Sequence, residues 1–270
     1  MNAFLQHFSY EFKTGLRNPS LLLINYLFPL GFYAMMGLIM TAINPMFTAS
    51  MIPAMVLFAI VASTILGMPS PLVEAREAGI FRSYKINGVP AASILAIPGL
   101  TTGFHALISA AIIALTAPIL FGGEAPVRGV PFVGITFLTA FTCASLGMLI
   151  SVISDNSRGT ILWSQLLFLP SMLIGGLMVP LDTLPERVQP FSALLPASHA
   201  MELFNGWAYG RPTVFNLPLS AAILASSGIL AFGLAITLFN WDARNQARRG
   251  HPLLALIAVI PYVIGALAAR

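Results

Sequence analysis

The sequence has 270 residues, of which 13 are Lys or Arg and 9 are Asp or Glu. Charged residues therefore make up only 8% of the chain, whereas soluble proteins carry about 25%. With a hydrophobic share of 57%, this composition excludes a disordered chain, a collagen-like fibre, a small disulfide scaffold and an ordinary soluble enzyme, and it indicates a lipid bilayer as the solvent.

The first predicted element is an amphipathic helix over residues 1–18. At about 100° per residue its apolar side chains share one arc, and its polar ones lie opposite. The apolar arc contains Phe4, Leu5, Phe8, Phe12 and Leu16, and the polar arc contains Gln6, Lys13 and Arg17. We expect this helix to lie in the membrane interface and to end at Asn18 and Pro19. The alternative is a positively flanked start to the first span.

Long stretches without charge predict the membrane spans, because an ionised group near the bilayer centre costs at least about 2.5 kcal/mol. Residues 18–73 hold no charged side chain, and we place two spans there, at 20–41 and 51–69. The intervals 86–123, 129–154, 159–181, 212–241 and 250–269 each predict one more. The predicted fold class is an all-α polytopic membrane protein, with six core transmembrane helices in residues 19–240 and a seventh at 252–269 that Pro261 interrupts.

The distribution of Lys and Arg predicts the orientation, because short loops rich in these residues stay cytoplasmic. With a cytoplasmic N-terminus, nine of the 13 basic residues fall inside: Lys13, Arg17, Arg76, Arg82, Lys85, Arg158, Arg244, Arg248 and Arg249. The other four fall outside: Arg128, Arg187, Arg211 and Arg270. The C-terminus is then external if the seventh helix spans. No contiguous basic stripe exists in the sequence, so we expect membrane lipid and no nucleic acid as a partner.

The loop over residues 70–92 predicts a short charged helix that ends in a turn at Asn87 and Gly88. Its acidic side chains come before its basic ones, as the helix dipole favours. Because apolar side chains stand beside the charged ones, we interpret it as a docking surface for a cytoplasmic partner. The predicted contact residues are Glu74, Arg76, Glu77, Gly79, Ile80, Phe81 and Arg82. The alternative is a helix that rests on lipid headgroups.

Polar residues inside the predicted spans are candidates for a transport path, because they would be costly if exposed to lipid. They are Asn25, Ser63, Thr64, Ser164, Gln165 and Ser171. Hydrogen bonds between helices explain such residues at least as often as substrate contact does. His105 is the only ionisable side chain predicted at membrane depth, and a structural histidine is favoured there over a proton relay.

The segment 180–211 predicts short helices outside the membrane core. Thr183 and Glu186 have the spacing of a capping box, so we expect a helix to start there. Apolar residues further along suggest pieces that dip into the outer leaflet. An ordinary outer loop of amphipathic character is the alternative.

Catalytic and cofactor motifs are absent from the sequence. It contains no G-x-x-x-x-G-K-[ST] nucleotide loop, no H-E-x-x-H metal motif and no G-x-S-x-G nucleophile elbow. We therefore expect no enzyme activity, cofactor or metal in this chain by itself.

Four motifs, taken in order, resemble the type-2 export permeases of ABC transporters. They are L-R-N-P at 16–19, E-A-R-E-A-G-I-F-R at 74–82 with G-V-P at 88–90, P-L-D-T-L-P-E-R at 180–187, and L-L-P-A-S-H-A-M-E-L-F at 194–204. The resemblance covers residues 1 to about 240. Two departures are the seventh span, where the family usually has six, and Ile80, where the family often has Thr.

The resemblance implies a permease that forms a homodimer in a bacterial or archaeal cell membrane. It implies two separate cytoplasmic ATP-binding subunits, which hold the ATP and Mg and dock on the first cytoplasmic loop. It also implies that segment 180–211 is a re-entrant hairpin and that spans one, two and five enclose the path. The alternative function is a proton-coupled secondary transporter, but the sequence shows neither the several intramembrane acids nor the internal repeat that this class would carry. An intramembrane enzyme would need a convergent catalytic set, which the sequence lacks.

Overall fold

The computed structural model describes residues 3–44, 46–241 and 250–268, and these residues form helices and loops without a strand. The all-α class predicted from composition is therefore confirmed. Four basic residues used in the orientation argument lie outside the described residues: Arg244, Arg248, Arg249 and Arg270.

Eleven α-helices are labelled here in chain order. They are α1 Ala3–Arg17, α2 Pro19–Ile43, α3 Phe47–Glu77, α4 Ile80–Ile86, α5 Ala91–Phe121, α6 Gly129–Ile153, α7 Ser157–Ile174, α8 Gln189–Ser192, α9 Pro196–Leu203, α10 Leu217–Leu238 and α11 Ile260–Ala268. Helices α2 and α3 contain π-helical turns at Leu23–Leu27 and Ala62–Gly67, and a third π-helical turn, Phe204–Ala208, extends α9. A 3₁₀ helix, Pro252–Val259, leads directly into α11.

Asparagine side chains start three of these helices. Asn18 Oδ1 accepts the N–H of Ser20 at 2.9 Å, and Pro19 follows at the first helical position. Asn156 and Asn216 cap α7 and α10 in the same way. An asparagine at this position satisfies backbone N–H groups that the helix cannot pair itself. The break expected after Arg17 is therefore present, and its cause is this cap.

Helix α3 forms the centre of the bundle. Its side chains from Met51 to Ile65 are almost all fully buried. Helices α2, α5, α6, α7 and α9 pack around it. On the outside, α2, α5 and α7 carry exposed apolar side chains, among them Leu27, Leu115 and Leu162. This is the arrangement of a bundle whose outer surface faces hydrocarbon.

The bundle has two ends, which we call proximal and distal. The proximal end carries α4, the last turn of α6 and the first turn of α7. The distal end carries the turn at Asn44, the loop before α6 and residues 177–216. Hydrogen bonds join the segments of the distal end; for example, the N–H of Glu124 donates to the Thr48 carbonyl at 3.1 Å, and Arg211 donates to the Ala49 carbonyl at 2.8 Å.

Five helices in the described ranges are long and apolar enough to cross a membrane: α2, α3, α5, α6 and α10. Helix α7 has 18 residues but includes Arg158 and Gln165, and the C-terminal apolar segment is shorter. The predicted number of six or seven spans is thus not confirmed. Helix α3 also continues beyond residue 69, so the first part of the predicted loop 70–92 belongs to the helix of the second span.

The helix expected to start at Thr183 is absent, and that expectation was wrong. The Thr183 hydroxyl donates to the Pro180 carbonyl at 2.7 Å within a 3₁₀ turn, Leu181–Thr183, instead of capping a helix. The next helix begins at Gln189. Thr183 thus bonds to a nearby backbone carbonyl instead of forming a capping box, and Ser and Thr side chains commonly make this alternative bond.

Candidate coupling surface and transport path

The predicted docking loop is a pair of helices at the proximal end. The segment Pro69–Glu77 ends α3, and α4 follows after a turn at Ala78 and Gly79. Gly79 has a φ of +76°, a left-handed conformation that residues with a Cβ adopt at a penalty. Gly79 therefore allows the chain to turn sharply between two helices that stay in contact.

The outer face of this pair is both charged and apolar. Glu74, Glu77 and Arg82 are exposed, and Ile80 between them is 45% exposed. Gly79 is half-buried. An exposed isoleucine ringed by charges is the composition of a protein-binding surface, with an apolar centre and a polar rim. We call the exposed residues Glu74, Glu77, Ile80 and Arg82 the coupling face.

Arg76 points the other way, into the protein, where it is 6% exposed. Its guanidinium donates to the carbonyls of Ser151 at 3.3 Å and Val152 at 3.4 Å, and also to that of Ser154. These carbonyls end α6, where the helix dipole is negative and the last carbonyls lack helical partners. Arg76 therefore caps α6 and is not part of the exposed surface on which it was predicted.

Phe81 is also turned inward and is 4% exposed. Its ring lies 5.5 Å from that of Phe239, which directly follows α10. Glu77 adds a contact to a third helix, since its Oε2 accepts the Ser157 hydroxyl at 3.1 Å. The proximal helices are thus attached to the ends of α6, α7 and α10.

Four of the six predicted path residues surround the π-helical turn of α3. Asn25 is 2% exposed and lies beside this turn, because a Cβ on Gly67 would be 3.5 Å from Asn25 Oδ1. Ser63 and Thr64 belong to the turn, and Ser164 of α7 packs on it; all three are buried. π-helical turns occur frequently at functional sites.

Hydrogen bonding within this group is incomplete. The Thr64 hydroxyl donates to the Ile60 carbonyl at 2.7 Å. Asn25 Oδ1, Ser63 Oγ and Ser164 Oγ have no hydrogen-bond partner among the described residues. Buried polar atoms without partners are uncommon and destabilising, so polar groups at this turn bring a cost that packing alone does not require.

The other two path residues lie apart from this turn. Ser171 is buried and donates to the Leu167 carbonyl at 2.6 Å, two turns further along α7. Gln165 is half-buried on the face of α7 where Leu162 and Leu166 are exposed. Gln165 is thus the only one of the six that reaches the outer surface of the described chain.

His105 ties three helices together. Its Nδ1 forms a 2.7 Å hydrogen bond with the Tyr26 hydroxyl of α2, and its ring stacks on Phe12 of α1 at 4.4 Å. Gly15 permits this contact, because a Cβ there would come within 2.4 Å of His105 Nε2. The contacts fit the structural role favoured from the sequence, and they dock the amphipathic helix on α5.

A cavity of about 510 Å³ opens at the distal end and was not predicted. Four chain segments line it: 40–50, 176–183, 201–205 and 211–214. Arg211 contacts Glu124 Oε2 at 2.6 Å and lies 4.5 Å above the Tyr209 ring. Glu202 is 2% exposed and accepts the backbone N–H groups of Val214 and Phe215, the latter at 2.8 Å. Burial raises the pKa of Glu202, while these two N–H groups oppose the shift.

His199 of α9 connects Ala193, at the distal end, to Ser220 of α10. Its Nε2 lies 2.8 Å from the Ala193 carbonyl, which can only accept, so Nε2 carries the proton and Nδ1 accepts the Ser220 hydroxyl at 3.0 Å. Burial lowers the pKa of His199 to about 4, and the hydrogen bond to Ala193 opposes this shift. The histidine is therefore neutral near neutral pH.

Comparison with known proteins agrees with this architecture. The profile of the family described as "ABC-2 type transporter" matches residues 2–207. Nodulation protein J of Rhizobium leguminosarum bv. viciae is 29% identical over 103 residues, which are 38% of this chain and 39% of that protein. Nodulation protein J of Sinorhizobium fredii is 29% identical over 97 residues, 36% of this chain and 35% of that protein. The protein of that name from Rhizobium leguminosarum bv. trifolii is 31% identical over 77 residues, 28% of this chain and 29% of that protein. The matched parts thus span well under half the length of these relatives.

Proposed function

Because this chain belongs to the ABC-2 type transporter family, the membrane subunits of ABC transporters, we propose that it exports a substrate when separate ATPase subunits close on ATP. It is an integral membrane permease, and its role in this proposal is to form the substrate path. The ATPase subunits dock on the coupling face, which places the proximal end in the cytoplasm.

One observation carries the proposal: the coupling face stands on helices that are attached to the ends of α6, α7 and α10. Arg76, Glu77 and Phe81 make these attachments. A force applied to Ile80 would therefore reach the bundle through several packed contacts. A helix that merely rested on lipid headgroups would need no such attachment.

The ATP and Mg belong to the partner subunits in this proposal. The sequence has only two lysines, Lys13 and Lys85, and neither stands in a glycine-rich phosphate loop. In this proposal the ATPase subunits perform the hydrolysis, and the work of this chain is mechanical.

The substrate path is proposed to lie between two copies of the chain. Helices α2 and α7 present exposed apolar side chains along their length, and Gln165 is a polar residue within that surface. A second copy would cover these faces and enclose Gln165. Gln165→Trp should then block transport without preventing assembly, and unimpaired transport by this variant would move the path elsewhere.

The docking test is co-purification of the ATPase subunit, followed by transport assays in the same membranes. Ile80→Asp places a charge at the centre of the coupling face and should reduce ATPase recovery at least about tenfold, since truncating or disrupting a central anchor commonly costs 2 kcal/mol or more. Val127→Asp is the matched control, because Val127 is 76% exposed at the distal end. Equal ATPase recovery with both variants would refute the docking assignment.

Phe81→Ala separates recruitment from coupling. Phe81 lies inside the chain against Phe239, so the change loosens α4 and leaves the exposed residues in place. We expect ATPase recruitment to fall less than transport, whereas Glu74→Ala should alter both only slightly because an exposed rim charge contributes little. Wild-type transport by the Phe81→Ala variant would show that Phe81 is not part of the coupling path.

A further inference from the structure

The distal cavity is the largest internal space described above, and its size suits a small organic molecule. Its volume of about 510 Å³ lies within the roughly 300–1,000 Å³ of typical ligand sites. It opens at the end of the bundle opposite the coupling face. A substrate that leaves the permease at this end would pass the cavity last.

The charges that line the cavity are mainly negative. Asp182, Glu202 and Arg211 are its ionisable lining residues. Arg211 is already engaged, because its guanidinium contacts Glu124 Oε2 at 2.6 Å, donates to the Ala49 carbonyl at 2.8 Å and lies over the Tyr209 ring. Glu124 lies outside the lining and balances that positive charge. Glu202 is buried and accepts the N–H groups of Val214 and Phe215, which leaves Asp182 as the exposed carboxylate of the lining.

The remaining lining combines soft apolar side chains with neutral polar ones. Met40, Met46, Met178 and Met201 all contribute, together with the aromatic Phe47. Methionine side chains are flexible and polarizable and adapt to varied apolar shapes. An aromatic face attracts cations as well as apolar groups. Asn44 and Asn205 supply neutral hydrogen-bonding groups.

We propose that the distal cavity binds an organic cation with an apolar body. The Asp182 carboxylate attracts the charge, and the methionines and Phe47 contact the apolar part. A bare metal ion fits this lining less well, since no cluster of three or more His, Cys, Asp or Glu exists among the described residues. The inference deepens the proposed function by naming a substrate class, and it rests on that function only in placing the cavity on the export path.

Binding can be measured on the purified full-length chain in detergent, without an ATPase subunit. The probes are tetraphenylphosphonium and tetraphenylborate, which have nearly the same shape and opposite charge. Signals from protein-free micelles are subtracted, because both ions partition into detergent. We expect saturable binding of the phosphonium and none of the borate.

A matched pair of substitutions locates the site. Asp182→Lys reverses a charge in the lining, whereas Glu186→Lys reverses an exposed charge on the same segment that does not line the cavity. Asp182→Lys should weaken phosphonium binding at least about fivefold, and Glu186→Lys should change it by less than about twofold. Both residues are exposed, so neither change disturbs the core.

Three results would overturn the proposal: no saturable phosphonium binding, equal binding of both probes, or equal weakening by the two substitutions. Because no ATPase subunit is present, these results bear on the cavity alone. Unchanged ATPase co-purification with Ile80→Asp bears on the proposed function alone, so the two failures can be told apart.

Discussion

Replacing Arg76 with Met tests the attachment between the proximal helices and α6. Methionine keeps most of the buried stem of Arg76 but removes the guanidinium that donates to the carbonyls of Ser151, Val152 and Ser154. A hydrogen bond from a charged donor contributes about 1.5–3 kcal/mol, and a cation at a helix C-terminus adds up to about 2 kcal/mol when partly buried. Because the bonds to Ser151 and Val152 are long, at 3.3 and 3.4 Å, we expect a total loss of roughly 3 kcal/mol.

Thermal unfolding of the purified chain in detergent measures this loss. For a soluble protein of comparable size, about 3 kcal/mol corresponds to a lower midpoint by roughly 6–12 °C. Lys85→Met is the control, since Lys85 is an exposed basic residue of α4 and exposed substitutions usually change stability by less than about 0.5 kcal/mol. Arg76→Lys should be intermediate, because an ammonium cannot reach several carbonyls with the guanidinium geometry.

Transport adds a second readout for the same variants. Arg76→Met leaves the coupling face unchanged, so the ATPase subunit should still co-purify while less substrate moves per ATP hydrolysed. Equal unfolding midpoints for Arg76→Met and Lys85→Met would show that the cap on α6 contributes nothing, and the reasoning about the attachment would then fail.

Three further predictions concern packing, pH and topology. Gly147→Ala should destabilise the bundle by about 1–3 kcal/mol, because the added Cβ would lie 2.2 Å from the Thr64 carbonyl oxygen. Gly134→Ala in the same helix is the control: its Cβ would meet nothing within 4 Å, so the unfolding midpoint should stay unchanged. Burial lowers the pKa of His199 from 6.5 to about 4, so as the pH falls the unfolded chain binds a proton at His199 before the folded chain does. Stability should therefore fall by about 2 kcal/mol between roughly pH 7 and pH 5, and a His199→Asn variant with the same pH dependence would contradict this. A reporter fused after Arg249 should be cytoplasmic and one fused after Arg270 external, as the distribution of basic residues predicts; both reporters on one side would exclude a spanning seventh helix.

The helical membrane class could be predicted because charge is so unevenly distributed along this chain. The break at Asn18 and Pro19 was also predicted, since an asparagine followed by proline is a local signal that one helix ends and another can begin. The absence of a helix start at Thr183 could not be predicted, because the same hydroxyl can cap a helix or bond to a nearby carbonyl, and the sequence does not show which is more stable.

Most of the site depends on contacts that local sequence does not encode. The turn at Gly79 separates the end of α3 from the short helix α4, so no single periodicity showed that Arg76 and Phe81 face inward. The π-helical turns shift the helical register by one residue, and this shift sets which side of α3 carries Ser63. The distal cavity is assembled from four distant segments, so Arg211 was read only as a loop charge in the orientation argument.

The 3₁₀ helix before α11 changes how much membrane a short segment can cover. A 3₁₀ helix rises about 2.0 Å per residue and an α-helix about 1.5 Å, so Pro252–Val259 and Ile260–Ala268 together extend about 30 Å. That matches the hydrocarbon thickness of a typical bilayer, whereas the same residues in a purely α-helical form would fall about 4 Å short. In the spanning seventh helix that the sequence predicts, hydrophobic mismatch would thus be relieved by stretching the backbone, with no need for a thinner bilayer. A Pro252→Ala change that favours the α form should then make the membrane crossing of this helix sensitive to lipid chain length.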